Sequence, residues 1–354
     1  MAIPALLRDL LAAPGPSGRE AAAARVWREA ASAFAEVTSD AVGSSVARVG
    51  GTGGAPLLAL VGHIDEIGLV VTHVSDEGFV FFRGLGGWNP QVLYGQRVEV
   101  LGRGGRVPAL VGRKWLGRPK PGEERKAVEY DDLHLDVGAR SRAEAEERVR
   151  PGDVAVVAAE PVELSNRRLA SRALDNRLGA YAVLEAARRL AEARVAADVA
   201  AVAPVGEEAG DFSGARTVIH GLEPDVAIVV DVTDATDVPG GDPKVHGELR
   251  LGAGPSIGRG LPLNQAVSDL LFEVAEAEGI AVAPEIFAGT TSSDADAVHL
   301  SRGGVPTGLV SFPIRYLHTP NELVSLDDVE AAVRLLVAFA GRLRADTSFM
   351  QAVG

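Results

Sequence analysis

Five clusters of ionisable residues have the types and positions expected for metal chemistry. Four of them directly follow predicted buried strands, and the fifth opens a predicted helix. The clusters are GHIDE at 62–66, SRALDNR at 171–177, GEE at 206–208, DVTDATD at 231–237 and YLHTP at 316–320. In open α/β sheets, ligands bind beyond the carboxyl ends of the strands, so we expect the clusters to converge in one cleft.

The imidazoles and carboxylates of these clusters suffice for two divalent cations. Such a pair of ions lies about 3.5–4 Å apart and needs five ligands when one carboxylate bridges. The predicted ligands are His63, Asp175, Glu208, Asp231 and His318. The chain has no cysteine, which excludes thiolate ligands, disulfides and cysteine nucleophiles together.

Two further acids have predicted roles beside the metals. Asp65, two residues after His63, is placed to hydrogen-bond the second ring nitrogen of that imidazole and so fix its orientation. Glu207 directly precedes Glu208; if Glu208 binds metal, Glu207 stays free to take a proton from the attacking water. Without cations, two adjacent acids at the end of an apolar strand would be costly to bury.

Each cluster alone has a simpler explanation. A His-x-Asp after a strand can be an ordinary loop, and paired glutamates often begin a solvated helix. Asp175 could cap the helix that follows it, Asp231 could belong to a turn, and His318 could only shape a loop. The occurrence of all five clusters together favours the metal centre.

The elements that must position the clusters alternate between strand and helix, which predicts an α/β fold with a mostly parallel central sheet flanked by helices. The capping-box pair Ser17 and Glu20 predicts a helix that runs to about Phe34. Other strands are predicted at 57–61, 197–205, 226–230 and 305–312, and other helices at 178–190, 263–278 and 325–344.

Between 68 and 159 the pattern changes to short alternating segments cut by glycines, such as GFVFFRG, QRVEVLG and RVPALVG. This pattern predicts a small antiparallel, barrel-like β domain at 69–159. It would be inserted into a discontinuous α/β domain formed by 1–68 and 160–354. The length of 354 residues also favours two domains.

Charge and hydropathy argue against two kinds of partner. The net charge of −13 disfavours nucleic acid, and 113–126 is the one modest basic stretch. No apolar run approaches the roughly 20 residues that span a bilayer. Arg8 and Asp9 interrupt the apolar N-terminus, which predicts a short amphipathic helix and not a signal peptide. Together with the absence of cysteine, these features favour a cytoplasmic protein.

Six segments closely resemble the tetrahedral (TET) aminopeptidases, a family of dinuclear metallopeptidases that includes glutamyl and leucyl aminopeptidases and members once described as endoglucanases. The resemblance runs in the family's order from PGPSGRE near the start to the last helix. The segments are GHIDEIGLVV, SRALDNRLGAYAVLEA, VGEEAG, VVDVTDATDVPG, LGAGPSI and DADAVHLSRGGVPTGLVSFPIRYLHTPNE.

The resemblance implies a zinc-peptidase-like fold that hydrolyses the N-terminal peptide bond of peptides. His63 and Asp231 would hold one metal, Glu208 and His318 the other, and Asp175 would bridge them. The metals would be zinc or cobalt, with manganese as a further candidate.

The resemblance also implies how the site and the chain are used. Glu207 would be the general base and proton shuttle, and Asp65 the partner of the ligating histidine. The inserted β domain would mediate dimerisation, and the dimers would assemble into a hollow dodecamer with inward-facing active sites.

Three segments depart from the family's pattern. Asp175 is followed by Asn176 where a second aspartate is usual. The glutamate pair is preceded by Gly206 and followed by GDFSGAR, which affects the pocket beside the base. The stretch RKWLGRPKPGEERK at 113–126 also differs, which bears on assembly and not on the chemistry.

Three other functions remain as alternatives. A carboxypeptidase or deacylase of the related dinuclear amidohydrolases would use a similar site, but those relatives carry their dimerisation domain later in the chain. A metal-independent glycosidase would pair Glu207 with another acid, but the two histidines suit metals and only 5% of residues are aromatic. A non-catalytic scaffold would have no reason to keep all five ligands and Glu207.

Overall fold

The computed structural model of the chain describes residues 3–115 and 127–350. The basic stretch at 113–126 therefore lies mostly outside the described residues. Within the described residues the strands are β1 (Glu36–Ser39), β2 (Ser45–Val49), β3 (Leu58–Val61), β4 (Gly68–Val74), β5 (Val80–Leu85), β6 (Arg97–Gly102), β7 (Gly105–Arg113), β8 (Leu133–Asp136), β9 (Val154–Val157), β10 (Val162–Leu164), β11 (Arg168–Ser171), β12 (Val199–Ala203), β13 (Val226–Asp234), β14 (Ser256–Gly260), β15 (Ala283–Phe287), β16 (Thr307–Ile314) and β17 (Glu322–Ser325).

The α-helices in the same ranges are α1 (Ala5–Ala12), α2 (Ala21–Ala31), α3 (Arg142–Glu146), α4 (Leu174–Ala193), α5 (Ser213–Leu222), α6 (Pro243–His246), α7 (Gln265–Ala277), α8 (Ala295–Val298) and α9 (Leu326–Arg342). None of these helices combines the length and the apolar character that crossing a membrane requires.

The central sheet has eight strands in the order β1-β2-β12-β3-β13-β16-β14-β15. Its four middle strands, β12, β3, β13 and β16, run parallel, while β2 and β14 join them antiparallel. Val61 at the end of β3 pairs with Val202 near the end of β12 on one side and with Val229 of β13 on the other, and β13 continues to Asp234 along β16. The predicted α/β fold with a mostly parallel sheet is confirmed.

Alternate residues of the middle strands face opposite layers, as the twofold repeat of a strand requires. Leu58 and Leu60 of β3 pack in the larger core with α1, α2, α4, α7 and α9. Ala59 and Val61 pack in a second core with α5 and α8. Because both faces are covered, the strand is apolar at every position, which is why it reads as a continuous apolar run.

The segment between β3 and α4 contains a closed antiparallel barrel in the order β4-β5-β8-β7-β6-β9, with its own core. A separate three-stranded sheet has the order β10-β11-β17. The predicted barrel-like insertion is confirmed as an architecture. Its division from the rest of the chain, 69–159 against 1–68 and 160–354, stays our proposal.

The capping-box prediction at the second helix was wrong. Helix α2 begins at Ala21 and ends at Ala31, not at Ser17 and Phe34. The Ser17 hydroxyl donates instead to Asp65 Oδ2 at 2.7 Å, and Glu20 Oε1 accepts from the backbone N–H of Gly18. A tertiary hydrogen bond has replaced the local one that the same residue types form at a helix start.

Gly62, between β3 and His63, lies against α4 at a distance that leaves no space for a side chain. A Cβ at this position would lie 2.5 Å from the carbonyl carbon of Gly179 and 2.8 Å from the backbone nitrogen of Ala180. These neighbours are backbone atoms of a buried helix and cannot rotate away. Gly62 therefore sets the depth at which α4 packs on the sheet.

We expect Gly62→Ala to lower the free energy of unfolding by about 1–3 kcal/mol, the usual cost of overpacking a core. Gly221→Ala is the matched control, because Gly221 lies in α5 with nothing near its Cβ position, and alanine is the better helix former there. Denaturant titration measures both. Equal stability of the two variants would contradict the close packing of α4 on β3.

Candidate metal centre

The middle strands deliver the predicted clusters to one edge of the sheet. From β3, β12, β13 and β16 in turn come His63, Glu207 with Glu208, Asp231, and His318. Asp175 reaches the same place from the first turn of α4, where its ψ of 110° is not helical. The structure thus brings the five predicted ligands and the predicted base together.

The carboxylate of Asp175 lies between the two imidazoles. Its Oδ1 is 3.2 Å from His63 Nε2, and its Oδ2 is 3.2 Å from His318 Nε2. A carboxylate that presents one oxygen to each of two imidazoles has the arrangement required to bridge two cations.

Each imidazole has further acids beside it. His63 Nε2 lies 3.6 Å from Glu207 Oε2 and 3.8 Å from Asp231 Oδ1. His318 Nε2 lies 3.4 Å from Glu208 Oε2. Within 4 Å, Glu207 and Asp231 therefore approach His63, and Glu208 approaches His318.

Two groups of three residues have ligand atoms within 4.8 Å of one another: His63, Asp175 and Glu208, and His63, Glu207 and Asp231. The second group includes Glu207, the residue predicted to be the base. By distance alone Glu207 is as well placed to bind a cation as the predicted ligands are.

Burial favours the protonated form of three of the acids. It raises the pKa of Asp231 well above its usual range, that of Glu207 to about 10 and that of Glu208 to about 7. Neighbouring carboxylates add to the effect in each case, because like charges disfavour ionisation.

The pKa values of Asp175 and His318 shift in the directions that favour an ion pair between them. Burial alone would raise the pKa of Asp175, but the imidazoles of His318 and His63 lower it. Burial alone would lower the pKa of His318, but Asp175 and Glu208 raise it to about 11. The carboxylates of the centre therefore outnumber its positive charges, and the raised pKa values show that protonation would offset the difference.

The residues present fit a divalent metal centre. Asp175 Oδ1 and Glu208 Oε1 are buried and have no hydrogen-bond partner among the described residues. Buried oxygens without a partner are costly unless a cation or a proton satisfies them. The donor set of imidazole and carboxylate suits zinc, cobalt and manganese.

Asp65 lies behind His63 and is fully buried. His63 Nδ1 is 3.3 Å from Asp65 Oδ1, and the backbone N–H groups of Glu207 and Glu208 donate to the two carboxylate oxygens at 3.2 and 3.1 Å. One side chain therefore contacts the imidazole and the backbone of both glutamates.

Glu322 was not predicted and ties together two residues of the centre. Its Oε2 accepts from the backbone N–H of Asp175 at 3.1 Å, and its Oε1 from that of His318 at 3.0 Å. His318 has a φ of 56°, a left-handed conformation that is uncommon outside glycine, and this hydrogen bond helps to hold it. The one sequence signal was an acid directly before the apolar residues Leu323 and Val324.

Asp294 was also missed, although the segment that holds it was noted as part of the resemblance. It is 1% exposed, and neither carboxylate oxygen has a hydrogen-bond partner within residues 3–115 and 127–350. Burial raises its pKa to about 7. Asp294 is one of two aspartates in the polar run TTSSDAD, and nothing in that run indicated that it would be buried.

A buried ion network lies beside the centre. Glu66 pairs with Arg172 and Arg177, the latter at 3.3 Å from Oε1. The two guanidinium groups also donate to the backbone carbonyls of Leu11 and Leu10 at the end of α1. Because Arg172 and Arg177 flank Asp175 in sequence, this network fixes the start of α4.

The barrel also reaches the centre. The backbone carbonyl of Gly87, in the loop after β5, lies 3.1 Å from His318 Nδ1. A Cβ at Gly87 would lie 2.5 Å from that nitrogen, and one at Gly86 would lie 3.3 Å from Glu208 Oε2. Two glycines of the insertion therefore form part of the wall.

Comparison with known proteins identifies the family. A sequence profile described as M42 glutamyl aminopeptidase matches residues 43–335. The chain is 33% identical to the lysyl aminopeptidase of Pyrococcus furiosus over 347 residues, which cover 96% of this chain and 97% of that protein.

Solved structures give the same result. A TET aminopeptidase from a marine sediment archaeon of the Thaumarchaeota is 35% identical, with a TM-score of 0.90 and 95% of each chain covered. The Pyrococcus horikoshii TET1 peptidase, described as able to assemble into a tetrahedron or a large octahedral shell, is 29% identical, with a TM-score of 0.84 and coverage of 96% of this chain and 99% of that one. The profile match and the near-complete relatives together show that the chain belongs to the M42 glutamyl aminopeptidase family.

Proposed function

We propose that the chain is a dinuclear metalloaminopeptidase that hydrolyses the N-terminal peptide bond of peptides. The observation that carries the proposal is the carboxylate of Asp175 between His63 and His318, with a further acid beside each histidine. His63 and Asp231 would hold one ion, Glu208 and His318 the other, and Asp175 both. Zinc or cobalt suits this donor set, as does manganese.

Two divalent ions held there would lower the pKa of water and polarise the scissile carbonyl. Glu207 would accept the proton of the attacking water and deliver it to the leaving amine. To accept that proton Glu207 must be ionised, and added positive charge in the cluster is what lowers the pKa of a buried acid. Its Oε2 lies 3.6 Å from His63 Nε2, near enough to serve water bound beside that imidazole.

Asp65 would orient both parts of this machinery. Its contact with Nδ1 leaves Nε2 of His63 facing the centre, and its two backbone hydrogen bonds fix the peptide that carries Glu207 and Glu208. The free amine of the substrate would bind among the remaining carboxylates, which limits cleavage to the first residue.

We also propose that the chain works as a homo-oligomer in the cytoplasm, with dimers assembled into a dodecamer. The support is the assembly described for the Pyrococcus horikoshii relative and the inserted barrel, whose outer surface exposes Phe79, Phe81 and Leu110. Large exposed apolar side chains on one domain are a feature of protein interfaces.

Removal of metal is expected to abolish aminopeptidase activity. We expect dialysis against a chelator to eliminate hydrolysis of aminoacyl-chromophore substrates, and zinc, cobalt or manganese to restore it. The same substrates with an acetylated N-terminus are the control and should remain uncleaved. Peptidase or glycosidase activity that survives complete metal removal, verified by elemental analysis, would overturn the proposal.

Glu207→Gln should lower kcat by at least about 1,000-fold, because the amide cannot accept a proton and general-base loss combines with lost proton delivery. Metal content should stay at two ions per chain. Glu208→Gln is the matched comparison, since it removes a proposed ligand and should lower metal content as well. Normal turnover in Glu207→Gln would eliminate Glu207 as the base.

The assembled particle should have a mass near 440 kDa, twelve times the chain mass of 36.7 kDa. Phe81→Asp places a charge on the exposed face of the barrel and should give smaller particles, whereas Phe81→Tyr should not. Sedimentation velocity measures both. A monomer for the unaltered protein at micromolar concentration would refute the assembly.

A further inference from the structure

Four groups surround the carboxylate of Asp65, and one of them comes from outside the proposed machinery. Three belong to the centre: the imidazole of His63 and the backbone N–H groups of Glu207 and Glu208. The fourth is the hydroxyl of Ser17, which donates to Oδ2 at 2.7 Å, the shortest of the four contacts.

The loop that carries Ser17 is fixed on both sides of the hydroxyl. The Ser17 backbone N–H donates to the carbonyl of Glu66 at 3.3 Å, and the Glu66 N–H donates to the carbonyl of Gly15 at 3.1 Å. The Gly15 N–H in turn donates to Glu66 Oε1 at 2.9 Å. The segment around Ser17 thus pairs, as a short strand would, with Glu66, the residue that follows Asp65.

Three hydrogen bonds and one further contact surround the carboxylate of Asp65: the Ser17 hydroxyl and two backbone N–H groups donate to it, and His63 Nδ1 lies 3.3 Å from Oδ1. An ionised carboxylate has about four acceptor positions, and four groups face this one. The side chain is fully buried, so water cannot replace a lost donor. If the Ser17 hydroxyl is removed, the carboxylate can turn towards the empty position, and the imidazole and the glutamate peptide it contacts follow it.

We propose that Ser17 is a positioning residue of the metal centre, acting through Asp65 on both His63 and the Glu207–Glu208 peptide. The inference rests on the proposed function and adds to it a residue 48 positions away from Asp65 in sequence. Ser17 does not touch the metals or the substrate. It sets the orientation of the group that orients the ligand and the base.

Ser17→Ala should weaken zinc affinity about tenfold, which is the lower end of the effect of groups that orient metal ligands and corresponds to 1.4 kcal/mol. At saturating zinc, kcat should also fall while KM stays unchanged, because the base is displaced and the substrate contacts are not. Zinc affinity is measured by competition with a chromophoric chelator, independently of activity.

Ser268→Ala is the matched control for loss of a buried hydroxyl. Ser268 is buried and its hydroxyl donates one hydrogen bond at 2.8 Å, to the carbonyl of Gly258 on β14. If the Ser17 hydroxyl only stabilises the fold, both variants should unfold more easily and neither should change zinc affinity. Ser17→Thr keeps the hydroxyl and should restore zinc affinity and kcat.

A double-mutant cycle with Asp65→Asn tests the route of the effect. If Ser17 acts through Asp65, adding Ser17→Ala to Asp65→Asn should change zinc affinity far less than it does in the unaltered protein. Additive losses would show that Ser17 acts otherwise and would overturn the proposal, as would unaltered zinc affinity and kcat in Ser17→Ala.

These outcomes separate from those that test the enzyme itself. Chelation and Glu207→Gln ask whether the chain is a metal-dependent peptidase. If chelation and Glu207→Gln give the expected results and Ser17→Ala does not, the proposed function is supported and the proposed role of Ser17 is overturned. If the unaltered protein binds no zinc in the competition assay, the proposed metal-dependent function is overturned, and the role of Ser17 with it.

Discussion

The structure depends on placing four buried carboxylates against two imidazoles, of which His63 is buried and His318 is half-buried. Like charges at such distances repel, and burial penalises each of them further. The acids around the centre are stabilised in two ways. Backbone N–H groups donate to Asp65 and Glu322. The guanidinium groups of Arg172 and Arg177 pair with Glu66. The remaining shortage of positive charge lies at Asp231, Glu207 and Glu208, whose pKa values are raised by burial and by neighbouring carboxylates.

The sequence predicted the parts of this arrangement that follow from local pattern. Buried parallel strands are continuously apolar, and a polar residue directly after one marks the edge of the sheet, which is why His63 and Asp231 were identifiable. Asp175 and His318 carried weaker local signals, since either could belong to an ordinary helix cap or loop, and the resemblance assigned them to particular metals. Their roles as ligands, and that of Glu207 as base, stay predictions.

What the sequence did not predict depends on contacts between distant residues. Ser17 and Glu20 have the spacing of a helix cap, and nothing local distinguishes that from a loop whose hydroxyl reaches Asp65. Glu322 and Asp294 look like surface acids until the packing of β17 and α8 buries them. The outer strands β14 and β15 were not predicted, because they are short and interrupted by glycine or proline.

The contact between Gly87 and His318 joins residues 231 positions apart in sequence. It makes the barrel part of the wall of the candidate metal centre and not merely an attachment to the α/β part. A chimaera that takes the barrel from one relative and the α/β part from another would preserve both cores and still misplace this loop. Exchange of the insertion between homologues is therefore expected to require the loop after β5 and the segment around His318 to be transplanted as one unit.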